Sequence, residues 1–150
     1  MSSAPKRVLF VCIGNSCRSQ MAEGFARVYG KDVLIPASAG LAPATRIAPD
    51  TIEAMNEKGI DLRDHFPKSI RHLGRIDFDL IINMSGERLP SPSKCPVREW
   101  DVEDPVSLKY DDHCAVRDDI ERLVMELVLE LRREQSKPQL RPFGSGQIPL

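Results

Sequence analysis

The chain has 150 residues, which is enough for one domain with a buried core and too few for two. Its 21 basic and 22 acidic residues are spread along the sequence and leave a formal net charge of −1, which argues against nucleic acid or an anionic membrane as the partner. The amino-terminal apolar stretch is too short for a signal peptide, and no segment is long enough to span a bilayer. We therefore expect a cytoplasmic protein with a small soluble partner.

Three short apolar segments predict strands of a sheet that is covered on both faces. They are residues 7–12, 33–38 and 78–84. Pro36 interrupts the second segment, so we expect that strand to be short or to lie at the sheet edge.

Helical patterns alternate with these strands. Residues 19–29 place apolar side chains on one face, residues 49–58 begin with a proline suited to a first turn, and residues 112–133 carry a continuous apolar stripe. This alternation predicts a parallel three-layer α/β fold, in which ligands bind beyond the carboxyl ends of the strands. Residues 135–150 lack periodicity, so we predict a flexible tail after a domain that covers residues 1–134.

The segment CIGNSCRS, residues 12–19, lies where the first predicted strand meets the first helix. The backbone N–H groups of residues 13–18 can converge on one point near the positive end of that helix, which makes an oxyanion cradle. Arg18 adds a planar fork of donors that can hold two oxygens of a tetrahedral anion. Cys12 would lie at the floor of the cradle, where the same dipoles favour the thiolate. This combination predicts nucleophilic cysteine catalysis.

Three further residues of this segment have predicted roles. Gly14 permits close backbone approach or a positive φ, Asn15 tolerates a left-handed conformation, and Ser19 can donate a hydrogen bond to the thiolate. The motif is not that of a nucleotide-binding phosphate loop, and we predict neither a metal nor a cofactor. The predicted substrate-binding residues are Ile13, Gly14, Asn15, Ser16, Cys17 and Arg18.

Displacing a leaving group from phosphorus requires a proton donor that faces the anion. The segment REWDVEDPVS offers Asp101, Glu103 and Asp104 for this role. Spacing alone does not distinguish these three acids.

The motif CIGNSCRS, which follows VLFV and precedes QMAEG, resembles the C-x5-R-S loop of the low-molecular-weight protein tyrosine phosphatases and of the arsenate reductases that share their fold. The resemblance continues to the final helix and covers about residues 6–133. It implies a single domain with a four-stranded parallel sheet flanked by helices. It also favours Asp104 as general acid and then base, because this aspartate directly precedes a proline.

Further residues match the same family pattern. Ser38 and Asn15 resemble residues that hydrogen-bond behind the family's cradle, and His65 is a candidate for orienting the loop. Together with Ser19, these are the supporting residues that we expect around Cys12.

The resemblance leaves two enzymatic chemistries open. Both begin with Cys12 attacking a tetrahedral oxyanion, but a phosphatase then hydrolyses the adduct with water, whereas a reductase uses a second thiol and leaves a disulfide. The main expectation is a phosphatase that hydrolyses phosphotyrosine or a small aryl phosphate ester through a phosphocysteine intermediate. The alternative is an arsenate reductase, which the absence of an aromatic residue after Ser38-Ala39-Gly40 favours. A catalytically silent oxyanion-binding module is the second alternative.

The cysteines bear on the reductase alternative. Thioredoxin-coupled reductases carry a cysteine pair after the third strand, but Met84 and Ser85 occupy the place of the first partner here. Cys95 resembles the second partner and lies in residues 85–96, whose prolines and serines predict a long surface loop. An internal second thiol would have to be Cys17, Cys95 or Cys114, and of these Cys17 and Cys95 are the candidate redox residues, whereas Cys114, at the start of the last helix, is expected to be a packing residue. Cys17 is also a candidate for a reversible disulfide that shields the nucleophile. Otherwise a reductase would need thioredoxin or a small external thiol.

Overall fold

A computed structural model describes residues 4–89 and 94–137 of the chain. Within these ranges one sheet contains four strands, in the order β2-β1-β3-β4, and all of its pairings are parallel. The strands are β1 (Lys6–Cys12), β2 (Leu34–Gly40), β3 (Leu80–Asn83) and β4 (Val97–Glu99). The predicted α/β class and the four-stranded parallel sheet are confirmed.

Three α-helices accompany the sheet in the described ranges, and a short 3-10 turn, Arg71–Leu73, precedes β3. The helices are α1 (Arg18–Tyr29), α2 (Pro49–Asn56) and α3 (Tyr110–Ser136). The third helix extends beyond its predicted bounds at both ends, through residues that lie outside its buried apolar stripe. Most of the predicted tail, residues 138–150, lies outside the described residues, and so do residues 90–93 of the predicted loop.

The core has two parts because side chains of a strand alternate between the faces of the sheet. Val8 and Phe10 of β1 point into the larger part, which the three helices cover. Leu9 and Val11 point into the smaller part, which the 3-10 turn and neighbouring irregular segments cover. The third layer of the fold is therefore thin.

The position of β2 explains its proline. It pairs only with β1 and forms one edge of the sheet, where Pro36 lies opposite Val8 without disrupting an inner ladder. The edge position predicted for this strand is confirmed. None of the helices in the described ranges has the length and apolar character to cross a bilayer.

Candidate active site

The predicted loop lies at the carboxyl end of the central strand, since β1 ends at Cys12 and α1 begins at Arg18. A cavity of about 200 Å³ opens there. Its wall contains the nucleophile candidate, most of the loop, the predicted arginine and one of the three acids. The residues that line it are Cys12, Ile13, Gly14, Ser16, Cys17, Arg18, Ala44, Asp104 and Val106.

Cys12 is almost fully buried and has a hydroxyl neighbour. Its sulfur lies 2.9 Å from the hydroxyl oxygen of Ser19, as the sequence predicts. The side-chain amide of Asn15 donates to the same oxygen at 2.7 Å. Because that oxygen already accepts a hydrogen bond, the hydroxyl hydrogen of Ser19 is available to donate to the sulfur.

Asn15 connects the loop to residues behind it. Its φ of 50° places it in the left-handed region, as predicted. Its side-chain oxygen accepts hydrogen bonds from the Gln20 amide and from the backbone N–H of Lys68, both at 3.0 Å. Gln20 Oε1 in turn lies 3.0 Å from His65 Nδ1. His65 therefore contacts the loop through Gln20, a buried residue that the sequence analysis did not single out.

Gly14 does not have the role expected of it, whereas Gly40 is required for a reason that the sequence analysis did not predict. Gly14 is not in the positive-φ region, and a methyl group on it would lie at an ordinary 3.7 Å from Ala44, so neither predicted reason for this glycine applies. At the end of β2, a Cβ on Gly40 would lie 2.6 Å from the Ile13 oxygen and 2.9 Å from the Asn15 nitrogen. The close approach that requires glycine is thus between β2 and the loop.

Arg18 is buried in the wall of the cavity. Its Nη1 donates to the carbonyl oxygens of Met84 at 2.5 Å and Val102 at 3.0 Å. Its Nη2 lies 3.7 Å from Asp104 Oδ2. Two carbonyls therefore fix the plane of the guanidinium group beside the space that an anion would occupy.

The structure separates the three candidate acids. Asp104 lines the cavity that contains Cys12, and its carboxylate also accepts the backbone N–H of Val106 at 3.1 Å. Asp101 lines a different cavity, of about 210 Å³, which it shares with Trp100. Glu103 is exposed and lines neither. Of the three acids, the fold brings only Asp104 to the nucleophile.

Ser38 was expected to hydrogen-bond behind the cradle, but its hydroxyl bonds to a glutamate of α1 instead. Its hydroxyl donates to Glu23 Oε1 at 2.5 Å, and Glu23 pairs with Arg27 at 2.8 Å. Both Ser38 and Glu23 are buried. Ser38 thus ties β2 to α1, and among the described residues its hydroxyl bonds to Glu23 and not to the loop.

All four cysteines lie in the described ranges, and none forms a disulfide. Cys17 lines the same cavity as Cys12, and its pKa is raised, first by burial and then by the charges of Asp104 and Cys12. Cys95 precedes β4 at the amino end of the sheet, level with Arg7, because Val97 pairs with Ile81 and Ile81 with Leu9. Five residues of extended strand, about 16 Å, therefore separate its level from that of Cys12.

The apolar side chains in the wall of the cavity are small and aliphatic. Ile13, Ala44 and Val106 supply its apolar surface, and no aromatic side chain is among the described residues that line it. Trp100 packs against Phe10 instead, with ring centroids 6.0 Å apart. The described wall therefore offers a ligand small aliphatic surface beside the polar groups.

Comparisons with known proteins agree with this geometry. Residues 7–137 match the family described as low molecular weight phosphotyrosine protein phosphatase, and the chain belongs to that family. It is thus an enzyme of the superfamily that contains the low-molecular-weight phosphatases and the arsenate reductases built on their fold.

The similar proteins include some named arsenate reductase and some named phosphatase. A glutaredoxin arsenate reductase of Synechocystis sp. is 34% identical over 130 residues, which cover 84% of this chain and 98% of that protein. A solved arsenate reductase in its phosphate-binding state has a TM-score of 0.76 and 33% identity, with 84% of this chain and 98% of that chain covered. The YwlE arginine phosphatase of Geobacillus stearothermophilus has a TM-score of 0.77 and 25% identity, with 92% and 100% covered.

Proposed function

We propose that this protein is an arsenate reductase that uses Cys12 as its nucleophile. The observation that carries the proposal is the cavity of about 200 Å³ in which Cys12, Arg18 and Asp104 meet, with no aromatic side chain among the described residues that line it. The names of the relatives support it, and they favour this alternative over the phosphotyrosine phosphatase that the sequence analysis put first.

The first step forms a bond between sulfur and arsenic. The Cys12 thiolate attacks arsenate, whose oxygens are held by the N–H groups of the loop and by Arg18. One arsenate oxygen leaves as water after it takes up protons, and Asp104 is the candidate donor because it lines the same cavity as Cys12. The product is an arsenylated Cys12, still at the oxidation state As(V).

The second step transfers the electrons. A second thiol attacks the sulfur of Cys12, a disulfide forms, and the sulfur–arsenic bond breaks with its electron pair remaining on arsenic. As(V) thereby becomes As(III) and leaves as arsenite. An external reductant, thioredoxin, glutaredoxin or a small thiol, then reduces the disulfide and restores both thiols.

Phosphate ester hydrolysis is the second candidate, and the position of Asp104 favours it. An acid in the same cavity as Cys12 can protonate an ester oxygen as it leaves and then activate the water that attacks a cysteinyl phosphate. The substrate would be a phosphorylated protein or a small phosphate ester. The likeness to an arginine phosphatase is consistent with this chemistry.

One set of assays distinguishes the candidates. The purified protein is supplied with arsenate and with glutathione plus glutaredoxin, or with reduced thioredoxin, and arsenite is quantified. Hydrolysis of p-nitrophenyl phosphate is measured in parallel. We expect thiol-dependent arsenite release that exceeds ester hydrolysis. Ester hydrolysis without arsenite would establish the phosphatase instead, and binding of inorganic phosphate without either turnover would indicate the silent module.

A further inference from the structure

A buried chain of polar side chains runs behind the loop and takes no part in the mechanism described so far. The hydroxyl oxygen of Thr51, on α2, lies 2.9 Å from Nε2 of His113, on α3. The same hydroxyl is a hydrogen-bonding partner of the Cys17 thiol at the start of α1. The three residues are 0%, 1% and 4% exposed, respectively, so the chain is buried, and only its Cys17 end reaches the active-site cavity.

The hydrogen bonds of His113 fix which ring nitrogen can accept a proton. The backbone of Pro105 is also a hydrogen-bonding partner of the ring, and because proline has no N–H, it must accept through its carbonyl. The ring therefore donates one N–H to Pro105, and Nε2 is left as the acceptor that faces Thr51. Burial lowers the pKa of His113, which keeps the ring neutral at pH 7.

Cys17 is placed to act as the second thiol of the reaction, but its thiol is not ionised at neutral pH. It shares the cavity of about 200 Å³ with Cys12. Burial, the carboxylate of Asp104 and the charge on Cys12 all raise its pKa, so it does not ionise by itself at neutral pH. A nucleophilic thiol in this place needs a base, and the Thr51 hydroxyl connects it to one.

We propose that Cys17 is the thiol that attacks the arsenylated Cys12, and that Thr51 and His113 are positioning residues that relay its proton away. This inference rests on the proposed arsenate reduction and names its internal thiol. Cys95, the other candidate, lies at the opposite end of the sheet.

The Cys17 thiol proton passes to the Thr51 oxygen while the Thr51 hydroxyl proton passes to Nε2 of His113. The Cys17–Cys12 disulfide forms, the sulfur–arsenic bond breaks, and its electron pair reduces As(V) to As(III). The departing arsenite takes a proton from solvent. The imidazolium of His113 later releases one proton to solvent, which restores the neutral ring. An external thiol reduces the disulfide before the next cycle.

A single turnover without external thiol tests the role of Cys17. Reduced protein, freed of small thiols, is mixed with arsenate. Arsenite is then separated and quantified, and disulfides are identified by peptide mass spectrometry after alkylation. We expect one arsenite per chain and a Cys12–Cys17 disulfide in the wild type. Cys17→Ser should release no arsenite, whereas the matched variants Cys95→Ser and Cys114→Ser should behave as the wild type does.

Two substitutions of Thr51 test the relay. Thr51→Val keeps the shape and removes the hydroxyl, and we expect it to slow arsenite release by about 10²-fold. Thr51→Ser keeps the hydroxyl and should restore a rate close to that of the wild type. Both variants should bind inorganic phosphate with wild-type affinity by calorimetry. If Thr51 acted only through packing, the order would be reversed, because valine fills the space better than serine.

The possible failures are distinguishable. Four results would each overturn the inference and leave arsenate reduction standing. They are arsenite release only in the presence of external thiol, undiminished release by Cys17→Ser, loss of release in Cys95→Ser, and a wild-type rate in Thr51→Val. If the wild type releases no arsenite even with glutathione and glutaredoxin or with thioredoxin, the proposed function fails and the inference fails with it.

Discussion

The sulfur of Cys12 and the hydroxyl oxygen of Ser19 lie 2.9 Å apart, where the first strand turns toward the first helix. Ser19→Ala removes this donor and leaves the Asn15 amide without one of its acceptors. Because a hydrogen bond to a charged group contributes about 1.5–3 kcal/mol, we expect the first chemical step to slow by about 10- to 100-fold. Single-turnover kinetics measure this, and an unchanged rate would show that Ser19 does not support the thiolate.

Gly40 controls the approach of β2 to the loop. Gly40→Ala would bring a methyl group to 2.6 Å from the Ile13 oxygen, so the loop must move and we expect turnover to fall by about 10-fold or more. Gly59→Ala is the matched control, because that residue has a φ of +74° and open space around it. It should reduce the free energy of unfolding by about 1 kcal/mol and leave turnover unchanged. Equal activities of the two variants would contradict this interpretation.

Asp104 and Asp101 form a second matched pair. Asp104→Asn keeps the shape of the side chain and removes its proton transfer, so we expect turnover to fall by about 10²-fold or more. Asp101→Asn changes a side chain in the neighbouring cavity, which Cys12 does not line, and should have little effect. Steady-state rates at saturating substrate provide the comparison. A larger effect of Asp101→Asn would assign the acid to the other aspartate.

His113 predicts a dependence of stability on pH. Burial lowers the pKa of this histidine below the 6.5 of an unperturbed one, so the unfolded chain binds the proton more tightly than the folded chain does. Its contribution to stability is therefore present above pH 6.5 and is lost as the pH falls through the folded-state pKa. In urea unfolding at pH 7.5 and pH 5, the wild type should lose more stability than His113→Gln. Equal losses would contradict the prediction.

The parts of the site that the sequence predicted are local in the chain. The apolar run of β1, the left-handed Asn15 and the spacing of Cys12 and Arg18 follow from neighbouring residues, and a short segment carries all the information for them. Pro36 likewise restricted β2 to an edge. Local physical rules were sufficient for these features.

The parts that the sequence did not predict depend on contacts between distant elements. Thr51 and His113 are 62 positions apart, and their hydrogen bond exists only because α2 packs against α3. Gly40 is required by a loop far from it in sequence, not by its own strand. The fourth strand, Val97–Glu99, has three residues that are all exposed, so no apolar pattern marks it. Only the family resemblance indicated a fourth strand.

The most direct test of the account is the behaviour of Cys12→Ser beside the wild type, with arsenite formation measured at saturating arsenate and glutathione plus glutaredoxin. The serine hydroxyl fits the same space and does not ionise at neutral pH. We expect the wild type to release arsenite, and Cys12→Ser to release none while it still binds inorganic phosphate in calorimetry. Continued arsenite release by Cys12→Ser would show that another atom attacks the oxyanion and would contradict the assignment of Cys12.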